Sequence, residues 1–230
     1  MYKVKFIIIK PDSFRSEFGW LGIRYILAEL KKVPDISVSI DLISDKEQDD
    51  ILARLHKHPP DIIGMPAFQL NLNTIRSLTA KIKSILPHVH ITLGNIEATI
   101  HQETLFNYLP HMDSLVVGEG EYSFRELVER LQNHRSLQGC EGLLYRKGTE
   151  IVRNKMRPLE QNIDTFAFPD RDILPPFTSG FQVFDVITSR GCNGNCTFCN
   201  NQNFRMQDVY KRQLIHLIMN FFLLPTGKLN

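Results

Sequence analysis

The sequence has little of what marks secreted, membrane-spanning or nucleic-acid-binding proteins. Its formal net charge is only +2 over 230 residues, too small to indicate nucleic acid or an anionic membrane as a partner. The longest apolar stretch, residues 214–224, is interrupted by His216 and Asn220, whereas a bilayer requires about 20 apolar residues. The amino-terminal apolar run covers only residues 6–9, and no small-residue cleavage site follows it. We therefore expect a cytoplasmic protein with neither a nucleic-acid nor a membrane partner.

Cysteine is also scarce, with four residues in the whole chain. Three of them, Cys192, Cys196 and Cys199, fall within eight positions, whereas Cys140 stands apart. In a chain without a secretory signal, such clustering favours metal binding over disulfide formation. The cysteine triplet is therefore the first candidate site.

The first 134 residues alternate short apolar runs with longer segments of helical periodicity. The apolar runs predict strands at residues 3–9, 37–43, 61–65, 90–93 and 114–117. The periodic segments predict helices at residues 21–32, 46–56, 73–86, 102–109 and 122–133. Five strands that are each followed by a helix predict an α/β fold, a doubly wound, Rossmann-like parallel sheet of the flavodoxin type.

Ligands of such sheets bind outside the carboxyl ends of the strands. Gly94 and Asn95 follow the fourth predicted strand, and Gly118, Glu119 and Gly120 follow the fifth. Glycine at these turns lets a large ligand approach the backbone closely, although a tight strand-to-helix turn explains any single glycine equally well. The strand ends are therefore the second candidate site.

The chain changes character after residue 139. A small hairpin and a proline-rich linker are predicted over residues 140–181. Residues 182–207 then begin a second domain, whose first strand, at residues 184–189, leads directly into the cysteine triplet. The predicted organisation is thus a first domain at residues 1–139, the linker, the start of a second domain, and a tail at residues 208–230.

The cysteine triplet has the composition of an iron–sulfur site with an open iron. A four-iron cluster normally takes four thiolates, so three leave one iron available for chemistry. Gly191 and Gly194 allow the loop to wrap a compact cluster. The alternative is structural zinc, which usually takes four ligands arranged as two separated pairs.

The spacing of the triplet, with Phe198 before the last cysteine and Ser189, Arg190 and Gly191 before the first, resembles the signature of radical S-adenosylmethionine (radical SAM) enzymes. The resemblance implies that Cys192, Cys196 and Cys199 hold a [4Fe–4S] cluster. It also implies that S-adenosylmethionine (SAM) chelates the open iron and that Phe198 packs near its adenine. Reductive cleavage of SAM would then release a 5′-deoxyadenosyl radical.

The upstream sequence is similar to the cobalamin-binding domain that precedes the barrel in one group of radical SAM enzymes. The segments that carry this likeness are residues 22–28, 60–64, 93–99, 116–121 and 168–172. The resemblance implies cobalamin at the strand ends, without a histidine as its lower ligand. Asn95 stands where the family usually has a second glycine. The residues implied to contact cobalamin are Gly94, Asn95, Thr99, Gly118, Glu119 and Gly120.

The tail departs from the pattern expected of a radical SAM (β/α) barrel. Only 31 residues follow Cys199, and they lack the glycine-rich motif that grips the amino group of SAM. Residues 208–213 are the translation of a transposase end sequence used in sequencing libraries. We therefore expect authentic sequence to stop near Met206, residues 208–230 to be a chimeric join, and the chain by itself to be inactive.

The expected function is that of a fragment of a radical SAM enzyme. The complete enzyme would carry out a cobalamin-linked radical modification of an unreactive carbon, such as methylation, on a small-molecule substrate and with an external electron donor. No catalytic side chain is assigned. Two alternatives stay open, namely a radical SAM enzyme without cobalamin and a non-enzymatic corrinoid-binding module with a zinc loop.

Overall fold

The computed structural model describes residues 1–10, 20–172, 187–192, 194, 196–199 and 210–211. The first five strands in chain order are β1 (Tyr2–Lys10), β2 (Ile36–Ser44), β3 (Ile62–Pro66), β4 (His90–Gly94) and β5 (Ser114–Val116). They coincide with the predicted strands to within a residue or so. The middle strands are buried on both faces, which explains why their sequences are continuous apolar runs.

Helices follow every one of these strands. They are α1 (Leu21–Leu30), α2 (Gln48–Lys57), α3 (Leu72–Ile85), α4 (Ile96–His101), α5 (Glu103–Tyr108) and α6 (Gly120–Gln132). The single helix predicted over residues 102–109 is in fact preceded by α4. Gln102 separates the two helices with a φ of +43°, so the chain turns sharply between them.

The sheet order is β2-β1-β3-β4-β5, and all of these neighbours are parallel. This arrangement confirms the predicted flavodoxin-type topology. Strands β2 and β3 lie on opposite sides of β1, so the direction in which strands are added to the sheet reverses at β1. The carboxyl ends of β1 and β3 therefore flank a crevice. A ligand site at these ends is therefore built into the topology.

The predicted hairpin forms and extends this sheet. Its strands, β6 (Leu143–Lys147) and β7 (Glu150–Arg153), are antiparallel, and β6 pairs with β5 to give seven strands in total. Gly142 enters the hairpin with a φ of +78°, and a Cβ there would lie 2.6 Å from the Ser123 hydroxyl of α6. The sequence does not indicate that the hairpin joins the sheet of the first domain.

Two apolar cores cover the two faces of the sheet. The face that we call the α2/α3 face also carries α4 and α5, and its core includes Ile75, Leu78 and Phe106. The opposite α1/α6 face is covered by side chains such as Leu27 and Leu127. Coverage on both faces confirms the doubly wound architecture.

The linker folds back along α1. The Asp170 backbone N–H donates to the Arg24 carbonyl at 2.9 Å, and the Asp170 carboxylate pairs with Lys31. Phe166 belongs to a small apolar cluster with Tyr25. These contacts bring the segment that precedes the cysteines alongside the carboxyl ends of the strands.

The start of the second domain is described only in part. Two short strands, β8 (Ser189–Arg190) and β9 (Tyr210–Lys211), pair antiparallel. Half of the strand predicted at residues 184–189 and most of the tail predicted at residues 208–230 lie outside the described residues, so the domain limits and the chimeric join stay predictions. No helix within the described ranges is long and apolar enough to cross a membrane.

Candidate functional site

A cavity of about 460 Å³ opens at the carboxyl ends of β3, β4 and β5. It extends between the sheet and helices α1 and α6, with Phe6 and Gly64 on the sheet side and Phe124 on the helix side. Ile187, Ser189, Arg190 and Gly191, which precede the cysteines, close its outer end. The cavity therefore lies between the strand ends and the cysteine loop.

Gly64 gives this cavity its depth. A Cβ at this position would lie 2.9 Å from the Phe6 ring and 3.1 Å from the Phe124 ring, closer than side chains normally approach. The two rings themselves pack against each other, with their centroids 5.0 Å apart. Any larger residue would push them into the space that a ligand needs. This role is not visible in the sequence, where Gly64 is simply a glycine inside an apolar strand.

Five of the six residues predicted to contact cobalamin line the cavity: Gly94, Asn95, Gly118, Glu119 and Gly120. Thr99 is buried behind them and joins the two turns. Its hydroxyl donates to the Asn95 carbonyl at 3.0 Å and accepts the Gly118 N–H at 3.0 Å. The structure thus brings all six residues together, and their contacts with cobalamin stay a prediction.

Asn95 adopts the backbone conformation of the glycine that it replaces. Its φ is +78° and its ψ is −161°, a region that is essentially restricted to glycine. The side chain compensates in part, because its Oδ1 accepts the Ile96 N–H at 2.6 Å and caps α4. The turn therefore keeps its shape despite the substitution.

Glu119 is engaged by protein groups at both carboxylate oxygens. Oε1 accepts from Arg190 at 2.8 Å, and Oε2 accepts the Glu160 N–H at 3.3 Å. Glu121, the second residue of α6, also pairs with Arg190. The acidic turn after β5 is therefore built to hold an arginine from the segment before the cysteines.

Arg190 is enclosed on every side that the structure describes. Its side chain is only 10% exposed, and its guanidinium lies 4.5 Å from the centroid of the Phe166 ring and 5.3 Å from that of Tyr25. Burial alone would lower the pKa of Arg190, but the charges and hydrogen bonds of Glu121 and Glu119 raise it. The sequence points to Arg190 only as part of the motif before the cysteines and gives it no role.

The cysteine loop turns tightly around Gly194. A Cβ on Gly194 would lie 3.3 Å from the Cys192 Sγ, a tight contact, and 3.6 Å from the Cys196 Sγ, so both sulfurs lie close to the backbone of this glycine. The Gly194 N–H lies 3.3 Å from the Cys192 Sγ, as a donor to sulfur. All three cysteines of the triplet are exposed.

The described residues contain no preassembled group of three metal-ligating side chains. The Cys199 N–H donates to the Cys196 carbonyl at 3.1 Å, which forms the turn that contains Phe198. Phe198 is 89% exposed, so its predicted packing against adenine stays a prediction. The donor set of three nearby thiols around a glycine suits an iron–sulfur cluster with an open iron.

Cys140 does not belong to this set. It is fully buried in the core of the α1/α6 face, and burial raises the pKa of its thiol to about 12. A thiol that remains protonated is a poor metal ligand. The structure therefore leaves three cysteines, not four, for a cluster.

Comparison with known proteins identifies the first domain. A family model described as the B12 binding domain matches residues 12–128. An uncharacterised methyltransferase of Pyrococcus horikoshii is 32% identical over 184 residues, 79% of this chain and 40% of the relative. The cobalamin-dependent radical SAM methyltransferase TokK of Streptomyces tokunonensis is 28% identical over 160 residues, 66% of this chain and 24% of the relative. The chain thus spans less than half the length of these relatives.

The fold agrees with a solved structure of similar architecture. The radical SAM methyltransferase TsrM of Kitasatospora setae, with cobalamin and a [4Fe–4S] cluster bound, superposes with a TM-score of 0.72 at 15% identity. The match covers 96% of this chain and 45% of TsrM. With the family model matching half of the chain, and with a cavity at the strand ends where the fold places ligands, the chain belongs to the B12-binding domain family.

Proposed function

We propose that this chain holds cobalamin at its strand ends and a [4Fe–4S] cluster with SAM on its cysteine loop, as the amino-terminal part of a radical SAM enzyme. The complete enzyme modifies an unreactive carbon of a small molecule, and methylation is the reaction that the relatives' names favour. The observation that carries the proposal is the position of the cavity, which lies directly between the strand-end turns and the segment that leads into the cysteines.

The residues of the cavity fit a corrinoid. A corrinoid is a large macrocycle with apolar faces and an amide-bearing rim, and its nucleotide tail ends in a flat aromatic base, so it requires close approach to backbone as well as a deep slot. Because Gly94 and Gly118 have no side chains, nothing projects from the strand ends at these positions, and the absence of a side chain at Gly64 keeps the slot between the sheet and α6 open. Trp20 and Phe68 form an edge-to-face pair near the mouth, with ring centroids 6.3 Å apart.

The cysteine loop fits a cluster that is completed only on metal binding. The Cys192 and Cys196 sulfurs already approach the same glycine, and closing the loop would bring Cys199 to the third iron. Exposure of the thiols gives iron and sulfide direct access. Because metal sites of this kind gain their final geometry from the metal, an open apo loop is the expected starting state.

The division of labour follows from these two sites. When bound, the cluster with SAM supplies a carbon-centred radical from an external electron, and the corrinoid supplies a transferable methyl group. The protein's own residues position these groups. The glycine turns hold the corrinoid face, the cysteines hold three irons, and Arg190 with its partners fixes the distance between the two sites.

Anaerobic reconstitution with iron and sulfide tests the cluster part of this proposal. Wild-type protein is expected to take up about four irons and, after reduction, to show a cubane electron paramagnetic resonance signal that changes when SAM is added. Cys196→Ala is expected to lose that signal. Cys140→Ala is the matched control, since it removes a buried cysteine outside the loop and should retain the signal.

Two outcomes would contradict the proposal. Uptake of one zinc without iron or sulfide would make the loop a structural metal site. A normal cluster signal from protein that binds no added hydroxocobalamin would instead indicate a radical SAM protein whose first domain does not use a corrinoid.

A further inference from the structure

We propose that Arg190 is a positioning residue that couples corrinoid binding to cluster binding. The inference rests on the proposed function, since it assumes that both groups occupy their sites. It adds a role for a residue to which neither the sequence nor the family likeness assigns one. The role follows from the groups that Arg190 contacts and from its place two residues before Cys192.

Arg190 is held by three separate parts of the first domain and its linker. Glu119 and Glu121 bind its guanidinium from the turn after β5 and from the start of α6. Tyr25 of α1 and Phe166 of the linker lie against the guanidinium through their rings. Since a planar guanidinium with four partners has a single orientation, the backbone at residue 190 is fixed to the strand ends.

The same turn is connected to the rest of the predicted corrinoid surface. The Gly118 N–H donates to the Thr99 hydroxyl, and the Thr99 hydroxyl donates to the Asn95 carbonyl. A continuous chain of contacts therefore runs from Asn95 through Thr99, Gly118 and Glu119 to Arg190. Beyond Arg190, only Gly191, with a φ of +93°, separates this chain from Cys192.

The charges make this connection costly to break. Glu119 and Glu121 are 10% and 6% exposed, so the loss of Arg190 would remove the cation that pairs with both of these buried carboxylates. The turn would have to rearrange to expose them, and Gly118 and Gly120 would move with it. A change at the cysteine loop is thereby transmitted to the surface that would receive a corrinoid.

The expected consequence is positive and reciprocal coupling. A cluster that closes the cysteine loop restrains Arg190, and a restrained Arg190 holds the turn from Gly118 to Glu121 in its binding conformation. Part of the ordering cost of corrinoid binding is then already met. Cluster loading should raise corrinoid affinity at least about fivefold, the lower end of typical coupling between sites.

Titration of hydroxocobalamin into the full chain, followed by visible absorbance under anaerobic conditions, measures this coupling. The dissociation constant is determined for apo-protein and for reconstituted protein, in wild type and in Arg190→Gln. In wild type, the dissociation constant of the apo-protein should exceed that of the reconstituted protein at least about fivefold. Arg190→Gln should bind both groups, but its two dissociation constants should differ by less than about twofold. Electron paramagnetic resonance confirms that the variant still carries its cluster.

Arg125→Gln is the matched control. Arg125 lies on α6 and forms ion pairs with the buried acid Glu29, at 2.5 Å, and with Glu129, rather than with Glu119 or Glu121. This variant should keep the wild-type ratio of affinities even if it is less stable. In Glu121→Gln, as in Arg190→Gln, the dissociation constants of the apo and reconstituted proteins should become nearly equal. The double variant should show no additional effect, because both residues act through one contact.

Retention of the full affinity ratio by Arg190→Gln would overturn the coupling role, as would equal affinities of the apo and reconstituted wild type. In both cases corrinoid binding itself would stand, and so would the proposed function. Failure of the wild type to bind hydroxocobalamin in either state would overturn the proposed function and the coupling together.

Discussion

The two halves of the site differ in how completely the polypeptide builds them. The strand-end turns are fixed by the sheet, by the Thr99 hydrogen bonds and by the cap that Asn95 places on α4. The cysteine loop has exposed thiols and a single short ladder between β8 and β9. The strand-end half has its shape before a ligand arrives and would only be restrained further by a bound cluster, whereas the cysteine loop receives its final geometry from metal.

This difference follows from the chemistry of the two ligands. A corrinoid is recognised by shape and needs a surface that already exists, which a parallel sheet provides at its carboxyl edge. An iron–sulfur cluster forms strong bonds to thiolates and can set the final geometry of the loop that carries them. Arg190 lies at the boundary, rigid on the side of the first domain and adjacent to the loop that metal completes.

The largest expected contrast concerns the reactivity of the cysteines. In native apo-protein, iodoacetamide should modify Cys192, Cys196 and Cys199 but should react with Cys140 at least about 10³-fold more slowly, because burial raises its pKa to about 12. Mass spectrometry of timed samples measures the four rates, and unfolding in urea should equalise them. Rapid native labelling of Cys140 would show that the core of the α1/α6 face is open.

Gly64→Ala should impair corrinoid binding at the strand ends without affecting the cysteine loop. The new Cβ would lie 2.9 Å from the Phe6 ring, so we expect a loss of about 1–3 kcal/mol in the free energy of unfolding and at least about a tenfold loss of hydroxocobalamin affinity. Iron uptake by the loop should be unchanged. Gly148→Ala, in the turn between β6 and β7, is the control: its φ of +61° strains any side chain, but the residue lies outside the cavity, so this variant should lose stability and still bind as wild type does.

His90 should make the sheet sensitive to acid. Burial lowers its pKa to about 4, with Lys83 acting in the same direction and Asp113 opposing it. The unfolded state therefore binds more protons than the folded state between about pH 4 and pH 6.5, so this contribution is complete above pH 6.5 and is lost as the pH falls.

We expect a loss of about 1–2 kcal/mol across that window, less than the full shift would give, because the half-buried ring is partly screened by solvent. Urea unfolding at several pH values measures it. His90→Asn should weaken the dependence of the free energy of unfolding on pH, whereas substitution of an exposed neighbour, His88→Asn, should preserve it. An unchanged slope in His90→Asn would assign the acid sensitivity to other groups.

The smallest effect is expected at Asn95. Asn95→Gly should raise the free energy of unfolding by about 1 kcal/mol, because relief of the glycine-only backbone conformation outweighs the lost cap. Asn95→Ala keeps the strained φ and loses the cap, so it should be destabilised by about 1 kcal/mol. Thermal unfolding of Asn95→Gly and Asn95→Ala separates the contribution of the backbone strain from that of the cap. Equal stabilities of the two variants would contradict the presence of strain at residue 95.

The sequence predicts the sheet well because the middle parallel strands bury both of their faces. Such strands appear as unbroken apolar runs, for example residues 6–9 in β1 and residues 62–63 in β3. Local periodicity is less reliable at helix ends. Ile85 continues the apolar spacing of Ile75, Leu78 and Ile82, but it is the last residue of α3 and is 38% exposed.

The site is only half predictable for a physical reason. Turn residues such as Gly94 and Gly118 can be recognised because strand ends are where ligands bind in this fold. The roles of Gly64 and Arg190 depend on side chains that are remote in sequence, the Phe6 and Phe124 rings in one case and the Glu119 and Glu121 carboxylates in the other. No local pattern reports such contacts.

The most direct test of this account is an anaerobic titration of hydroxocobalamin into apo-protein, in wild type and in a variant with Cys192, Cys196 and Cys199 all changed to serine. If the strand ends are finished without metal, both proteins should bind about one equivalent with affinities that agree within about threefold, below the usual coupling between sites. Failure of both proteins to bind, or binding that requires the cysteines, would contradict a corrinoid site built by the sheet.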